Sequence, residues 1–204
     1  MNLKERTYEQ IKERIISGQY APGQLLNEKE IIEELKISRT PFREAVTALS
    51  KENLVVIYPN RGMFVREFSV KDVIEIYDVR YLIEPSIIQL AFGRIPTEVL
   101  SQLAEQAQAA LSADIDTMLQ EDDNFHMTTL KYVDNKIMVQ IMERIYEYSR
   151  IRTLRSNRVL SVESSLIEHQ KIISCLINGK VDDAVEATKE HLIASRKRAI
   201  GLVF

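Results

Sequence analysis

The stretch Ile37–Leu49, ISRTPFREAVTAL, decides how this chain is read. Ser38 is an N-cap residue type whose hydroxyl can accept an orphan backbone N–H, and Pro41 follows inside the first turn, where a missing N–H costs little. A helix is predicted to start there. Phe42, Ala45, Val46 and Leu49 recur at three- and four-residue spacing as one buried stripe, while Arg39, Thr40, Arg43 and Thr47 lie off it with no acidic residue between the two arginines. That face is suited to an anionic partner. A short helix with arginines and hydroxyls near its N-terminus, preceded by another helix, is what a helix-turn-helix presents to a DNA major groove.

Upstream, Lys4 to Ser17 carries Tyr8, Ile11, Ile15 and Ile16 as a helical stripe ending at Ser17-Gly18. Pro22-Gly23 signals a turn, Leu25-Leu26 a short extended piece, and Asn27 with Glu30 a capping-box-like helix start through Ile31, Ile32 and Leu35. Lys36-Ile37 makes the tight turn into the central stretch. Downstream, the β-rich runs 54–58 and 63–67 flank Pro59-Asn60-Arg61-Gly62 and read as a hairpin. Three helices and a hairpin make a winged helix-turn-helix over residues 1–68.

Composition sets the outer bounds. The chain has 204 residues, 45% hydrophobic and 28% charged, which suits one large or two small globular domains rather than disorder. The N-terminus lacks a signal-peptide pattern and no segment runs 18 apolar residues, so a cytoplasmic protein with no membrane partner is expected. Cys175 is the single cysteine and is expected to be a buried structural thiol. The net charge of −3 argues against a globally basic nucleic-acid binder. Locality decides: between Ser38 and Arg66 the basic residues Arg39, Arg43, Lys51, Arg61 and Arg66 oppose only Glu44 and Glu52.

The quoted stretches IISGQYAPGQLLNEKEI, ISRTPFREAVTAL and YPNRGMFV resemble the N-terminal domain of the GntR family of bacterial transcription regulators, over residues 4–67. One departure is Asn53, where that family usually has Gly; Asn tolerates a left-handed backbone better than most residues. The resemblance implies that Lys29, Ser38, Arg39, Thr40 and Arg43 contact double-stranded operator DNA, with the wing tip at Arg61 and Gly62 near the minor groove or backbone.

Beyond Phe68 the pattern is all helical, and residues 69–204 are expected to form an antiparallel bundle of six or seven helices. Ser69 with Asp72 starts a helix to about Phe92, Pro96-Thr97 one to about Ser112, Asp114 or Asp116 one to about Val133, and Asn135 one to about Arg155. Val162 to Ile177 stops at Asn178-Gly179, and Asp182 opens the last helix.

The chain has three histidines, and each interrupts an inward face of this bundle. Asp122 and His126 fall at i, i+4 on the stripe Ile115, Leu119, Leu130, Val133. His169 breaks the stripe Val162, Leu166, Ile173, Leu176, and His191 lies among Ala184, Thr188 and Ala194 or Ser195. Burying such groups unpaired costs several kcal/mol, whereas one divalent cation could satisfy all four. Three imidazoles and a carboxylate suit Zn²⁺, Ni²⁺, Mn²⁺ or Fe²⁺. The D-x-x-x-H pattern within DDNFH (Asp122, Phe125 and His126), together with Arg80 and Glu84-Pro85, resembles a metal-binding form of the FCD effector domain of FadR-type GntR members, across residues 70–198. That resemblance implies a small carboxylate effector, with Arg80, Tyr132, Arg150 and Arg152 as candidate contacts, and a homodimer.

Two other readings compete with a ligand-responsive regulator. One is a regulator for which the cation itself is the effector. The other is a metal-dependent hydrolase, which needs a general base at the site. The nearby carboxylates Asp123, Glu168 and Glu190 are each adjacent in sequence to a proposed ligand and so point about 100° away around the helix, which counts against an enzyme.

Overall fold

A computed structural model describes residues 2–153 and 159–201, without the side chains of 151–153 and 159–160. The chain divides into two compact units, Met1–Phe68 with Glu147–Arg155, and Ser69–Tyr146 with Ser156–Phe204. Among the described residues no helix is long and apolar enough to cross a membrane.

The first unit is built from α1 (Leu3–Ile16), α2 (Glu28–Leu35), α3 (Arg39–Lys51) and the hairpin β1 (Val55–Tyr58) and β2 (Gly62–Val65). Asn2 and Glu5 form a reciprocal capping box that starts α1. Asn27 starts α2 as expected, its side chain accepting from the backbone of Lys29 and Glu30. Lys36 then turns the chain in a left-handed conformation, φ 52°. Ser38 does occupy the N-cap of α3, but its side chain makes no capping bond, so the first-turn N–H groups of α3 lack a side-chain cap there. The buried stripe Phe42, Ala45, Val46 and Leu49 packs with Ile11 and Ile15 of α1 and with Leu54, Val55 and Val65 of the wing.

The hairpin is shorter than the sequence suggests and is one residue out at each start, with Val55 opposite Val65 and Tyr58 opposite Gly62. Leu25 adds an isolated bridge to Phe64, so the short extended piece before α2 lies along the wing. In the stretch Glu147–Arg155 that groups with this unit, the Tyr148 hydroxyl donates to the Glu52 carbonyl at 2.7 Å.

Asn53 closes α3 with φ 57°, and the next amide, Leu54 N–H, reaches back to the Leu49 carbonyl at 2.9 Å. A β-branched residue cannot take that conformation cheaply. Asn53→Val is expected to lower unfolding stability by about 1–2 kcal/mol while Asn53→Gly preserves it. Denaturant melts of the two variants check this, and equal midpoints would mean the cap is not held.

The second unit consists of α4 (Val70–Ala91), α5 (Thr97–Ala110), α6 (Ile115–Lys131), α7 (Lys136–Thr153, through Tyr146), α8 (Val159–Ile177) and α9 (Val181–Gly201). Six helices are therefore described. Ser69 and Asp72 cap α4 reciprocally, Asp114 accepts from Thr117 N–H to cap α6, and Asn135 accepts from Met138 N–H at the start of α7. Gly179 takes φ 73° just past α8, and Lys180 N–H closes onto the Cys175 carbonyl. Helix α8 packs against α5, α6 and α9, and α9 also packs along α4. Ile87, Ile88, Phe125, Met142, Ile172, Ile173 and Ala187 form the main core. Cys175 is half-buried at its edge rather than fully enclosed.

Candidate functional site

Three helices bring the histidines together. His126 on α6, His169 on α8 and His191 on α9 are all buried, and one side-chain nitrogen of each lies within 4.8 Å of the other two. The Nε2 atoms of His169 and His191 are 3.3 Å apart, and the His126 and His169 rings meet edge-on with centroids 4.7 Å apart. Phe125 stacks on His169 with centroids at 4.2 Å, so the residue before one proposed ligand walls in another.

Burial pushes His169 well below the ordinary histidine range, with the neighbouring His191, His126 and Arg80 acting in the same direction. Burial also lowers His191, against the opposing hydrogen bond that its Nδ1–H donates to Glu168. Both imidazoles are thus favoured neutral, the state a metal requires. The surroundings also fit a cation. Asp122 Oδ1 and His169 Nδ1 are buried, 3.7 Å apart, and have no hydrogen-bond partner among the described residues. Two imidazole nitrogens facing each other likewise call for a shared cation or proton.

Asp122 is not drawn into the three-nitrogen group; it stands beside His169 Nδ1 instead.

Of the four candidate effector contacts, Arg80 adjoins the histidines. It is buried against Glu84 in an ion pair four residues along α4, its Nη2 lies 3.3 Å from His126 Nε2, and Tyr77 and Tyr146 lie under its guanidinium at 5.0 and 5.7 Å. Burial works against a charged Glu84, yet the Arg80 guanidinium and His126 hold its carboxyl down at about 2. Arg80 therefore already has an internal carboxylate partner. Tyr132 ends α6 and packs against the hydrophobic core. Arg150 belongs to the stretch that groups with the first unit, and the side chain of Arg152 lies outside the described residues.

Sequence reasoning missed two carboxylates. Glu84 Oε2 faces His126 Nδ1 at 3.3 Å, and Glu168 Oε2 meets His191 Nδ1 at 2.7 Å. Glu168 does point away from His169, but that direction carries it to α9.

On the first unit, Lys29, Ser38, Arg39, Thr40, Arg43 and Arg61 are all exposed, and Gly62 at the wing tip has φ 115°. This face is less purely basic than the local sequence suggests. Glu28, at the start of α2, pairs with Arg43 Nε at 3.3 Å and stands 3.9 Å from Arg39 Nε. The absence of acid between Arg39 and Arg43 in sequence did not carry over into space.

Residues 3–65 match the family model "Bacterial regulatory proteins, gntR family", and residues 75–194 match the FCD domain. The Nta operon transcriptional regulator of Aminobacter aminovorans is 28% identical over 180 residues, covering 87% of this chain and 85% of that one. A transcriptional regulator GntR from Rhodococcus sp. RHA1 superposes with a TM-score of 0.84 at 22% identity, covering 97% of both chains. The Zn²⁺-bound FCD domain of TM0439 aligns with a TM-score of 0.53 at 21% identity, covering 66% of this chain and 96% of that one.

Proposed function

This chain belongs to the gntR family of bacterial regulatory proteins and carries an FCD domain, and from that premise we propose a ligand-responsive transcription regulator with a metal centre in its second unit. Residues 1–68 form the DNA-binding domain and 69–204 the effector-binding and dimerisation domain. Lys29, Ser38, Arg39, Thr40 and Arg43 contact operator DNA, with Arg61 and Gly62 at the wing. The uncapped N-terminus of α3 offers N–H groups and a favourable helix dipole to a phosphate. The protein acts in the cytoplasm as a homodimer on a pseudopalindrome, because a two-fold pair of such helices reads two half-sites. The hydrolase reading has no support from these relatives, which are regulators.

The observation that carries the metal reading is the convergence of His126, His169 and His191 beside the orphaned Asp122 oxygen. These residues would hold Zn²⁺ or Ni²⁺, with Mn²⁺ or Fe²⁺ also compatible with the donor set. When bound, such a cation supplies positive charge and open positions for an oxygen donor. Arg80 adds a second positive charge at the edge of the cluster and exchanges Glu84 for the carboxylate of a small hydroxy- or dicarboxylic acid. That acid shifts DNA affinity only through its different affinity for two arrangements of the protein, with a coupling of about 1–3 kcal/mol.

The existing Arg80–Glu84 pair also favours a second reading, in which the cation alone is the effector. Calorimetric titration of a carboxylate panel into metal-loaded, metal-stripped and Arg80→Ala protein separates them. Under the first reading, acid binding is seen only with metal and weakens without Arg80. Acid binding that survives metal removal at full strength sinks it. Operator affinity that responds to metal while no acid binds supports the second.

A further inference from the structure

Glu168 precedes His169 on α8, yet the two side chains serve different places. His169 turns into the cluster, while the Glu168 carboxylate passes around it to His191 Nδ1 at 2.7 Å. Arg198, two turns beyond His191 on α9, holds that carboxylate with both ends of its fork: Nη1 to Oε1 and Nη2 to Oε2, each 2.7 Å. Its Nη2 also donates to Ser195 Oγ at 2.8 Å and lies 3.4 Å from Ser165 Oγ. A carboxylate clamped this way is ionised and can only accept, so the hydrogen between it and His191 belongs to Nδ1. That leaves the lone pair of His191 on Nε2, the atom that lies 3.3 Å from His169 Nε2 inside the cluster.

We infer that Glu168, fixed by Arg198, is a positioning residue for the metal centre: it locks His191 in its Nδ1–H tautomer and aims Nε2 at the cation. The inference rests on the metal reading above. A carboxylate or carbonyl on the far nitrogen of a metal-ligating histidine fixes ring orientation and raises ligand basicity. The order arginine, carboxylate, imidazole repeats with Arg80, Glu84 and His126, but there the carboxylate is 3.3 Å away and Arg80 also reaches Nε2. The Glu168 arm has the tighter contact. It also runs outward, because Glu168 and Arg198 are only partly buried, so the centre is tied to the solvent-facing side of α8 and α9.

The test uses the full chain, Co²⁺ as the probe and the variants Glu168→Ala, Glu168→Gln and Arg198→Ala. In metal-free protein, ¹⁵N imidazole shifts are expected to report a pure Nδ1–H tautomer for His191 in the parent and a mixture in Glu168→Ala. Competition with a chromophoric chelator is expected to show Co²⁺ affinity reduced about 10–100-fold in Glu168→Ala. Glu168→Gln, which keeps an acceptor oxygen, should retain the tautomer and lose less affinity, a rescue that simple loss of packing does not produce. Arg198→Ala should fall between the two, with an altered visible Co²⁺ spectrum. A parent protein that binds no Co²⁺ would overturn the metal reading and the inference that rests on it. Retention of the Nδ1–H tautomer together with parental Co²⁺ affinity in Glu168→Ala overturns the inference.

Discussion

Replacing His169 by alanine is expected to strip most of the metal from the protein, weakening its binding by more than about a hundredfold, the upper end of what loss of a mere supporting group produces. His169 is fully buried and stands between His191, at 3.3 Å, and Asp122, at 3.7 Å, so removing it breaks the cluster in the middle. Elemental analysis should read close to one equivalent of a first-row divalent ion in the parent and little in the variant. The variant should also melt lower, because binding to the folded state alone adds about 2.7 kcal/mol when free metal is a hundred times its Kd. A chelator should narrow that gap, and the part that remains measures the cavity left by the ring. Full retention of metal in the His126, His169 and His191 single variants would refute a shared centre.

Arg39→Ala and Arg43→Ala should each weaken operator binding by about 1–3 kcal/mol and leave helical content and metal content as they are. The two need not be equal. Arg43 makes the closer approach to Glu28, so its guanidinium is the better fixed of the pair and is expected to carry more of the sequence discrimination. Arg39 is 82% exposed at its side chain and is expected to act more through phosphates, lowering the slope of log affinity against log salt by about one when lost. Fluorescence anisotropy on operator and scrambled duplexes across a salt series measures both quantities. Unchanged operator affinity in both variants would remove α3 from the DNA interface.

What sequence conveyed here was the information that acts over one or two helical turns. Asn27, Ser69, Asp114 and Asn135 start helices through contacts two or three residues away, and each was placed by its own neighbourhood. The histidines could be assigned to inward faces because 3.6-residue periodicity is strict enough to count along α6, α8 and α9. Pairings between helices were not legible. Glu28 meets Arg43 across 15 positions and Glu168 meets His191 across 23, and both depend on how two helices cross, which no local pattern encodes. Ser38 shows a finer limit: its residue type marks the helix start, but whether the hydroxyl bonds the backbone depends on its rotamer. Tyr132, Arg150 and Arg152 rest on the family resemblance rather than on a position along an inward stripe, so the sequence offers no register by which to place them as it does the histidines.

The packing of α4 along α9 has a consequence for how the protein is made. The first helix of the second unit finds its partner in the last one, and His191 and Arg198 are carried by that same helix. During synthesis, α4 to α8 leave the ribosome with the groove for α9 still open and with His126 and His169 lacking their third companion. The winged unit has α1 to α3 and its hairpin within residues 3–65 and gains Glu147–Arg155 with the end of α7, so all its parts are made before α9. A nascent chain can therefore hold a finished winged helix-turn-helix while its histidine cluster still lacks His191, and translation of α9 is the step that completes the cluster.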